Sequence, residues 1–399
     1  MEILYLSAMA SQDAIEKARK LNPSFSSYAV QKFNRLVVEG LAKNNHQVIS
    51  LSTFYMPGSG YYFRRHQEIV NDVYYRYITS PNFLPLRHIW LVLYCFFYVL
   101  FWGMRRKKQK VLMGDVLNIS ACLGATMASR LIGLKSVGIM TDMPGLMVSR
   151  SNSSKNKDGK KSKSFTTRVN KSFLANFTHY VFLTEEMNEA VNVNHHPYIV
   201  MEGLVDVDMK VDENNKKNDK RIVIYAGGLH ERYGLRLLVE GFIQADVENS
   251  ELWLYGSGPF VEELPKYNRQ DSRVIYKGVR SNDEVVNAEL EATLLVNPRP
   301  IHEEFTKYSF PSKNMEYMAS GTPLLTTRLP GMPKEYYPYV FLFDEVSVEN
   351  FASKIREVLS LPEVELHQKG KSAKDWILSN KNNINQTYRI IKLLNGHKV

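Results

Sequence analysis

The chain has 399 residues, enough to bury two or three cores, and its 44% hydrophobic content is ordinary for a soluble globular protein. Its only two cysteines, Cys95 and Cys122, have no partner at metal-ligand spacing, which excludes a zinc site and a disulfide framework and fits a reducing compartment. The net charge of +10 is one-sided, +13 over residues 1–200 and −3 over 201–399, so the first half is expected to meet a negative surface, nucleic acid or anionic lipid.

MEILYLSAM reads as a first strand over 3–6 and not as a signal peptide, because it lacks a basic n-region and a cleavage site. Residues 22–41, NPSFSSYAVQKFNRLVVEGL, read as a loop running into a helix, with Val30, Phe33, Leu36, Val37 and Leu41 at helical spacing. The apolar face belongs to a core. That leaves Ser24, Ser26 and Ser27 in the loop for function. A second strand follows over 48–51.

Residues 61–88 are rich in Tyr, Arg and His. Residues 89–104, IWLVLYCFFYVLFWGM, carry no charge and abut the basic run Arg105-Arg106-Lys107-Lys108-Gln109-Lys110. As a helix the apolar run is about 24 Å long, marginal against a hydrocarbon core of roughly 30 Å. Two readings stand: a fully buried core helix, or a segment over 83–110 that is embedded in a membrane or docked on anionic lipid.

Strands over 111–113 and 136–140 flank a helix over 121–131, the βαβ rhythm of a parallel sheet. Asp142 closes the second strand, where parallel sheets place their sites. It reads either as a cap of the turn before Met143-Pro144 or as a carboxylate that takes a proton from an acceptor hydroxyl. Residues 151–164, SNSSKNKDGKKSKS, are basic and free of apolar side chains, so they read as a loop outside any core. Another strand is expected over 180–184.

Residues 212–220 are almost entirely charged or amide-bearing and mark a crossing into a second domain. Strand, glycine and helix then recur: 221–226 before Gly227-Gly228, 251–255 before Gly256, 274–276 before Gly278, and a strand over 294–297. Asp206 and Asp208 form an acidic pair of the kind that holds a divalent cation, but they sit in the crossing loop and read as solvated. The tail over 373–394 reads as one helix.

The stretch 303–327, EEFTKYSFPSKNMEYMASGTPLLTT, combines a loop, a helix opened by Pro311, a glycine stop at Gly321 and a short buried strand. A helix start offers free amides to an anion, and a carboxylate one turn in, Glu316, can accept from a ribose diol. Together they suit a nucleotide. An amphipathic helix with Glu316 facing water has the same pattern.

SFPSKNMEYMASGTPLLTT resembles the donor segment of retaining GT-B glycosyltransferases of the large family four, in particular bacterial polysaccharide enzymes. The 22–41 stretch, Thr184-Glu185-Glu186-Met187 and the tail resemble the same family. The resemblance implies an α/β GT-B fold, two Rossmann-like doubly wound domains facing a cleft. It implies an N-terminal acceptor domain over 1–205, a nucleotide-sugar domain over 206–372 and a helix over 373–399 crossing back. By this resemblance Glu316 holds the donor ribose, and Ser312, Gly227 and Gly228 border the donor. The family's second glutamate position is Tyr308 here, so Glu303 or Glu304 is left to contact the sugar. The family's diphosphate-binding arginine and lysine fall at Gly228 and Tyr233, so Arg232 and Lys313 are expected to supply the charge. Asp142 and Arg232 are expected to bracket the reacting bond, with Ser24, Ser26 and Ser27 on the acceptor side.

The activity implied is metal-independent, retaining transfer of a sugar from a nucleoside-diphosphate sugar to a lipid-linked saccharide acceptor. It implies no other cofactor, no nucleic-acid partner, and a cytoplasmic, peripheral place on the inner face of the cell membrane. A nucleotide-sugar epimerase on the same fold and a non-catalytic membrane-docked partner protein are the alternatives.

Overall fold

The structure is a computed structural model that describes residues 1–21, 28–54, 67–81, 83–105, 108–143, 176–209 and 218–397. The acceptor-side serines Ser24, Ser26 and Ser27 and the basic loop 151–164 lie outside the described residues. The chain divides into two compact units, Met1–Leu204 with Asn383–Val399, and Val205–Asn382.

The first unit is built from β1 (Glu2–Ser7), α1 (Gln12–Leu21), α2 (Tyr28–Lys43), β2 (Gln47–Ser52), β3 (Gln67–Val70), β4 (Val73–Tyr77), α3 (Leu84–Met104), β5 (Lys110–Asp115), α4 (Ile119–Leu131), β6 (Lys135–Met140), β7 (His179–Phe182), α5 (Glu185–Val191) and β8 (Tyr198–Val200). Its sheet has the order β3-β4-β2-β1-β5-β6-β7-β8. The central strands are continuous apolar runs because helices cover both faces. Every pairing is parallel except β3 with β4. Those two form a hairpin that the sequence reading left unassigned. Its two-residue turn, Asn71-Asp72, has positive φ at both positions, as a primed turn requires.

The second unit repeats the plan with β9 (Arg221–Ala226), α6 (Leu235–Ala245), β10 (Ser250–Tyr255), α7 (Leu264–Gln270), β11 (Val274–Gly278), α8 (Asn282–Glu291), β12 (Leu294–Asn297), α9 (Ser312–Ser320), β13 (Leu324–Thr327), β14 (Phe341–Phe343), α10 (Val348–Leu359) and α11 (Glu363–Asn380). Its sheet order is β11-β10-β9-β12-β13-β14 and all its pairs are parallel. In each sheet the order reverses once, between β1 and β5 and between β9 and β12. The crevice at the carboxyl ends of such a strand pair is where doubly wound sheets bind ligands.

The expected tail helix over 373–399 is two helices. Lys381 leaves helical geometry (φ −118°, ψ 18°) and ends α11, and the chain starts again as α12 (Asn383–Leu394). Ala373 and Ile377 stay in the core of the second unit. The return to the first unit therefore begins at Asn383, ten residues later than the helical pattern suggested. There α12 packs on α2 so closely that a Cβ on Gly40 would lie 2.2 Å from the Asn383 carbonyl oxygen. Asn44 Nδ2 donates to Ile384 O at 2.9 Å, and Lys135 Nζ to Leu394 O at 2.6 Å.

The apolar helix α3 is neither fully buried nor free. Leu91, Cys95, Val99 and Trp102 are buried at near-helical spacing, on the face that packs on α4. Gly124 of α4 permits the contact: a Cβ there would sit 2.0 Å from Val92 O. The other face exposes Leu86, Ile89, Leu93, Phe97, Phe101 and Met104, with Phe101 61% exposed. Trp90, Tyr94 and Tyr98 form a ladder along the flank, with centroids 6.2 and 6.0 Å apart, and Arg76 sits over the Tyr98 ring at 5.1 Å. Residues Pro85–Met104 are long and apolar enough to cross a membrane by length and composition. The end of α3 is instead held to β1 and β5, because Trp102 Nε1 donates to Glu2 Oε1 and Lys110 Nζ to Trp102 O.

The close approach at Gly124 gives the first prediction. Gly124→Ala forces a Cβ onto a backbone oxygen and should destabilise the first unit by about 1–3 kcal/mol, the usual cost of overpacking. Urea denaturation compares it with Met127→Ala on the exposed face of α4. Equal midpoints for Gly124→Ala and the parent would mean that α3 is not seated on α4.

Candidate active site

The second unit's switch point is lined by the segments that follow β9 and β12. After β9 the chain runs through Gly227 and Gly228 and a 3-10 turn, Glu231–Tyr233, into α6. Gly234, at φ 85°, opens that helix, and a Cβ there would meet Pro298 O at 1.9 Å. Only glycine lets the two segments touch. The turn is also hydrogen-bonded to its other neighbour, Gly227 N to Tyr255 O at 2.9 Å and Leu229 N to Ser257 O at 2.8 Å.

Helix α9 delivers the expected donor residues to this turn. It begins at Ser312 with Pro311 as its N-cap residue, one position later than expected, and ends at Gly321 in the left-handed conformation. Ser312 is exposed, and Lys313 and Glu316 are half-buried. Lys313 and Glu316 stand three residues apart and so share a helix face. A Cβ on Gly227 would lie 2.7 Å from Lys313 Cε and 3.3 Å from Lys313 Nζ. The lysine therefore lies directly against the glycine turn.

Buried polar contacts fix α9 in place. The Tyr317 hydroxyl accepts from Ala226 N at 3.0 Å and donates to Ala226 O at 3.3 Å. Asn297 Nδ2 donates to Asn314 Oδ1 at 2.6 Å, and Thr326 Oγ1 donates to Asn297 O at 3.0 Å. These bonds join the first two turns of α9 to the ends of β9 and β12, and β13 to β12.

Arg232 is exposed. Its guanidinium lies over the Tyr233 ring at 5.3 Å and the Phe305 ring at 6.0 Å. Sequence reasoning passed over a second guanidinium on the same rings. Arg299, two residues past β12, lies 5.3 Å from the Tyr233 centroid and 5.4 Å from that of Phe305. Its Nη1 donates to Ser309 Oγ at 3.4 Å. Tyr225 Oη donates to Gly228 O at 3.0 Å; burial pushes this phenol up, and Arg299 pulls it back. Glu304 is exposed in a 3-10 turn, Glu304–Lys307, and Glu303 precedes it half-buried.

In the first unit, Asp142 follows β6. Its side chain is half-buried, outside the core, and Oδ1 accepts from Met143 N at 2.8 Å. It does cap the turn. The switch point of this sheet carries a carboxyl that the sequence reading did not single out. Asp115, at the end of β5, is 3% exposed. Its Oδ1 accepts from Leu117 N at 3.1 Å and its Oδ2 from Asn34 Nδ2 at 3.2 Å, while Tyr5 Oη donates to Asn34 Oδ1.

Among the described residues, no group of three or more His, Cys, Asp or Glu is placed to hold a metal ion. Asp206 is engaged in its own turn, accepting from Asp208 N at 3.1 Å. A cavity of about 550 Å³ opens at the amino ends of β9, β12 and β13, beside Arg221, Thr293 and Pro323. It lies at the sheet edge opposite the glycine turn.

Burial pushes the Asp115 carboxyl up to about 6, and the Leu117 amide and Asn34 pull only partly against it. The folded value lies above the ordinary 3.8, so folding favours the protonated acid. That contribution is whole at low pH and is lost as pH rises through about 6. Between about pH 4.5 and 7.5 the parent should lose about 2 kcal/mol of stability relative to Asp115→Asn. Denaturation curves across that range test it; parallel pH dependence would show that Asp115 is already ionised at low pH.

Comparison with known proteins gives three findings. Residues 220–360 match the family model of the group 1 glycosyl transferases. No curated protein matches by sequence. Solved structures match over the full length at low identity. A sucrose-phosphate synthase from Thermosynechococcus elongatus has a TM-score of 0.66 at 14% identity, covering 99% of each chain. HepE of Anabaena, solved with UDP, has a TM-score of 0.62 at 12% identity, covering 99% of this chain and 100% of that one; it is also solved with UDP-glucose. The lipopolysaccharide outer core galactosyltransferase WaaB, in its apo form, has a TM-score of 0.61 at 15% identity, covering 99% of each chain.

Proposed function

We propose that this chain, whose fold matches GT-B structures and whose residues 220–360 match the group 1 glycosyl transferases, is a glycosyltransferase that moves a sugar from a nucleoside-diphosphate sugar to a lipid-linked saccharide. Transfer proceeds with retention at the anomeric carbon and without a bound metal, in the synthesis of a surface or secreted polysaccharide. The observation that carries the donor side is Lys313 lying against Gly227 with Glu316 one turn along the same helix. Glu316 accepts from the ribose hydroxyls, and the exposed Ser312 opens the helix beside the phosphates. Lys313 offers its charge to the diphosphate, and Arg232 adds to it from the rim. Glu304 and its neighbour Glu303 face the sugar.

In the reaction the bond from the anomeric carbon to the phosphate oxygen breaks, and its electron pair stays on the diphosphate. The acceptor oxygen bonds to the anomeric carbon, and its proton passes to Asp142. Positive charge near the departing oxygen lowers the barrier. UDP and UDP-glucose bound to HepE support a uridine donor as the first to test.

The acceptor side rests on α3. Its outer face is a strip of large apolar side chains, flanked by the Trp90, Tyr94 and Tyr98 ladder and followed by Arg105 and Lys108. Such a helix lies in the plane of a membrane interface. Its inner face is committed to α4, so it docks without spanning. The protein would then work as a peripheral protein on the cytoplasmic face, where a lipid-linked acceptor is presented.

Three measurements test the reading. Glu316→Gln should weaken binding of the nucleoside diphosphate by about 1.5–3 kcal/mol, the size of a hydrogen bond to a charged group; unchanged calorimetric affinity would remove the ribose assignment. Release of free nucleoside diphosphate from sugar donors, with membrane lipid extract as acceptor, separates transfer from epimerisation and from a non-catalytic role.

Replacing Arg105, Arg106, Lys107 and Lys108 with glutamine should release the protein from anionic vesicles, since each cation near such a surface contributes about 1 kcal/mol. Equal sedimentation of variant and parent across salt concentrations would exclude docking through this face.

A further inference from the structure

We propose that Arg299 is the principal guanidinium on the donor diphosphate, with Lys313 as its partner and Arg232 secondary at the rim. The proposal rests on the nucleotide-sugar reading above.

Position is the first argument. Arg299 follows β12, and β12 and β9 are the two strands between which the second sheet reverses its order. Ligands bind in that crevice. The touch of Gly234 on Pro298 O brings the segment carrying Arg299 against the glycine turn. Arg232, in the 3-10 segment of the turn itself, is exposed.

The second argument is preorganisation. The Arg299 guanidinium is half-buried over the Tyr233 and Phe305 rings, which meet at 76° with centroids 6.3 Å apart. A guanidinium over aromatic faces is held in orientation, and its planar fork matches the geometry of phosphate oxygens. One N–H of that fork reaches Ser309 Oγ at 3.4 Å, beyond the usual range for N–H···O. A phosphate oxygen would replace it with a shorter, charge-assisted bond.

Charge is the third. Lys313, Arg299 and Arg232 gather around residues 227–233. The nearest acid on the turn, Glu231, is tied to Arg236 by a bond of 2.6 Å. A gathering of like charges is unfavourable until an anion arrives. A diphosphate brings at least two negative charges, and Lys313 alone answers one.

The test is calorimetry of UDP, GDP and ADP and the matching monophosphates, with Arg299→Met, Arg232→Met and Glu316→Gln beside the parent. Arg299→Met should weaken the preferred diphosphate about 10- to 100-fold, as loss of a charge-assisted bond does, and the matching monophosphate less than about threefold. Arg232→Met should show a smaller loss of the same diphosphate-specific kind, and Glu316→Gln should weaken both nucleotides alike. The melting midpoint of each unliganded variant is recorded. If Arg299→Met does not fold, Arg299→Lys decides, with an expected diphosphate-specific loss of several-fold because the point charge cannot bond in pairs. Parent-like diphosphate affinity in Arg299→Met, or a larger loss in Arg232→Met, overturns the assignment while leaving the nucleotide-sugar reading intact. A parent that binds none of the nucleotides overturns both.

Discussion

One buried hydroxyl holds the second unit's crevice together. Tyr317 lies on the inner face of α9 and is 1% exposed. Its oxygen bonds both backbone groups of Ala226, the last residue before the glycine turn. A buried hydroxyl without partners would cost a few kcal/mol, so the bond pair fixes the height and the rotation of α9 against β9. Rotation matters because Lys313, four residues before Tyr317, lies on the same side of α9 and reaches the glycine turn beside Ala226. If the helix turned by one residue, about 100°, Lys313 would leave Gly227. The Asn297–Asn314–Thr326 contacts hold the same helix from the β12 and β13 side. A short helix of nine residues, marginal by itself, becomes a rigid shelf for a lysine and a glutamate.

The alternation of apolar strands with glycine turns made two doubly wound halves legible, because buried parallel strands are apolar on both faces and their turns need glycine. The stretch 303–327 announced its own loop, helix and strand for the same local reasons. The features that were not legible depend on contacts between distant segments. A uniformly apolar stretch has no internal sign of which side packs, so the one-sided burial of α3 follows only from its partner α4. Arg299 stands between two prolines with no motif around it. It matters because β12 lies beside β9, and strand order is not written in the local sequence. The break at Lys381 was hidden because α11 and α12 have compatible helical patterns. Only their burial in different cores separates them.

The two switch points also show why net charge was a poor guide to chemistry. The half with the excess of acids carries the cationic crevice, because three side chains at strand ends and on one helix outweigh a charge averaged over a surface. The half with the large positive excess places a buried acid, Asp115, at the corresponding crevice. Asn34 and the Leu117 amide donate to it and Tyr5 donates to Asn34, and burial drives it towards its neutral form. Each crevice takes its electrostatic character from which side chains the strand order brings to it.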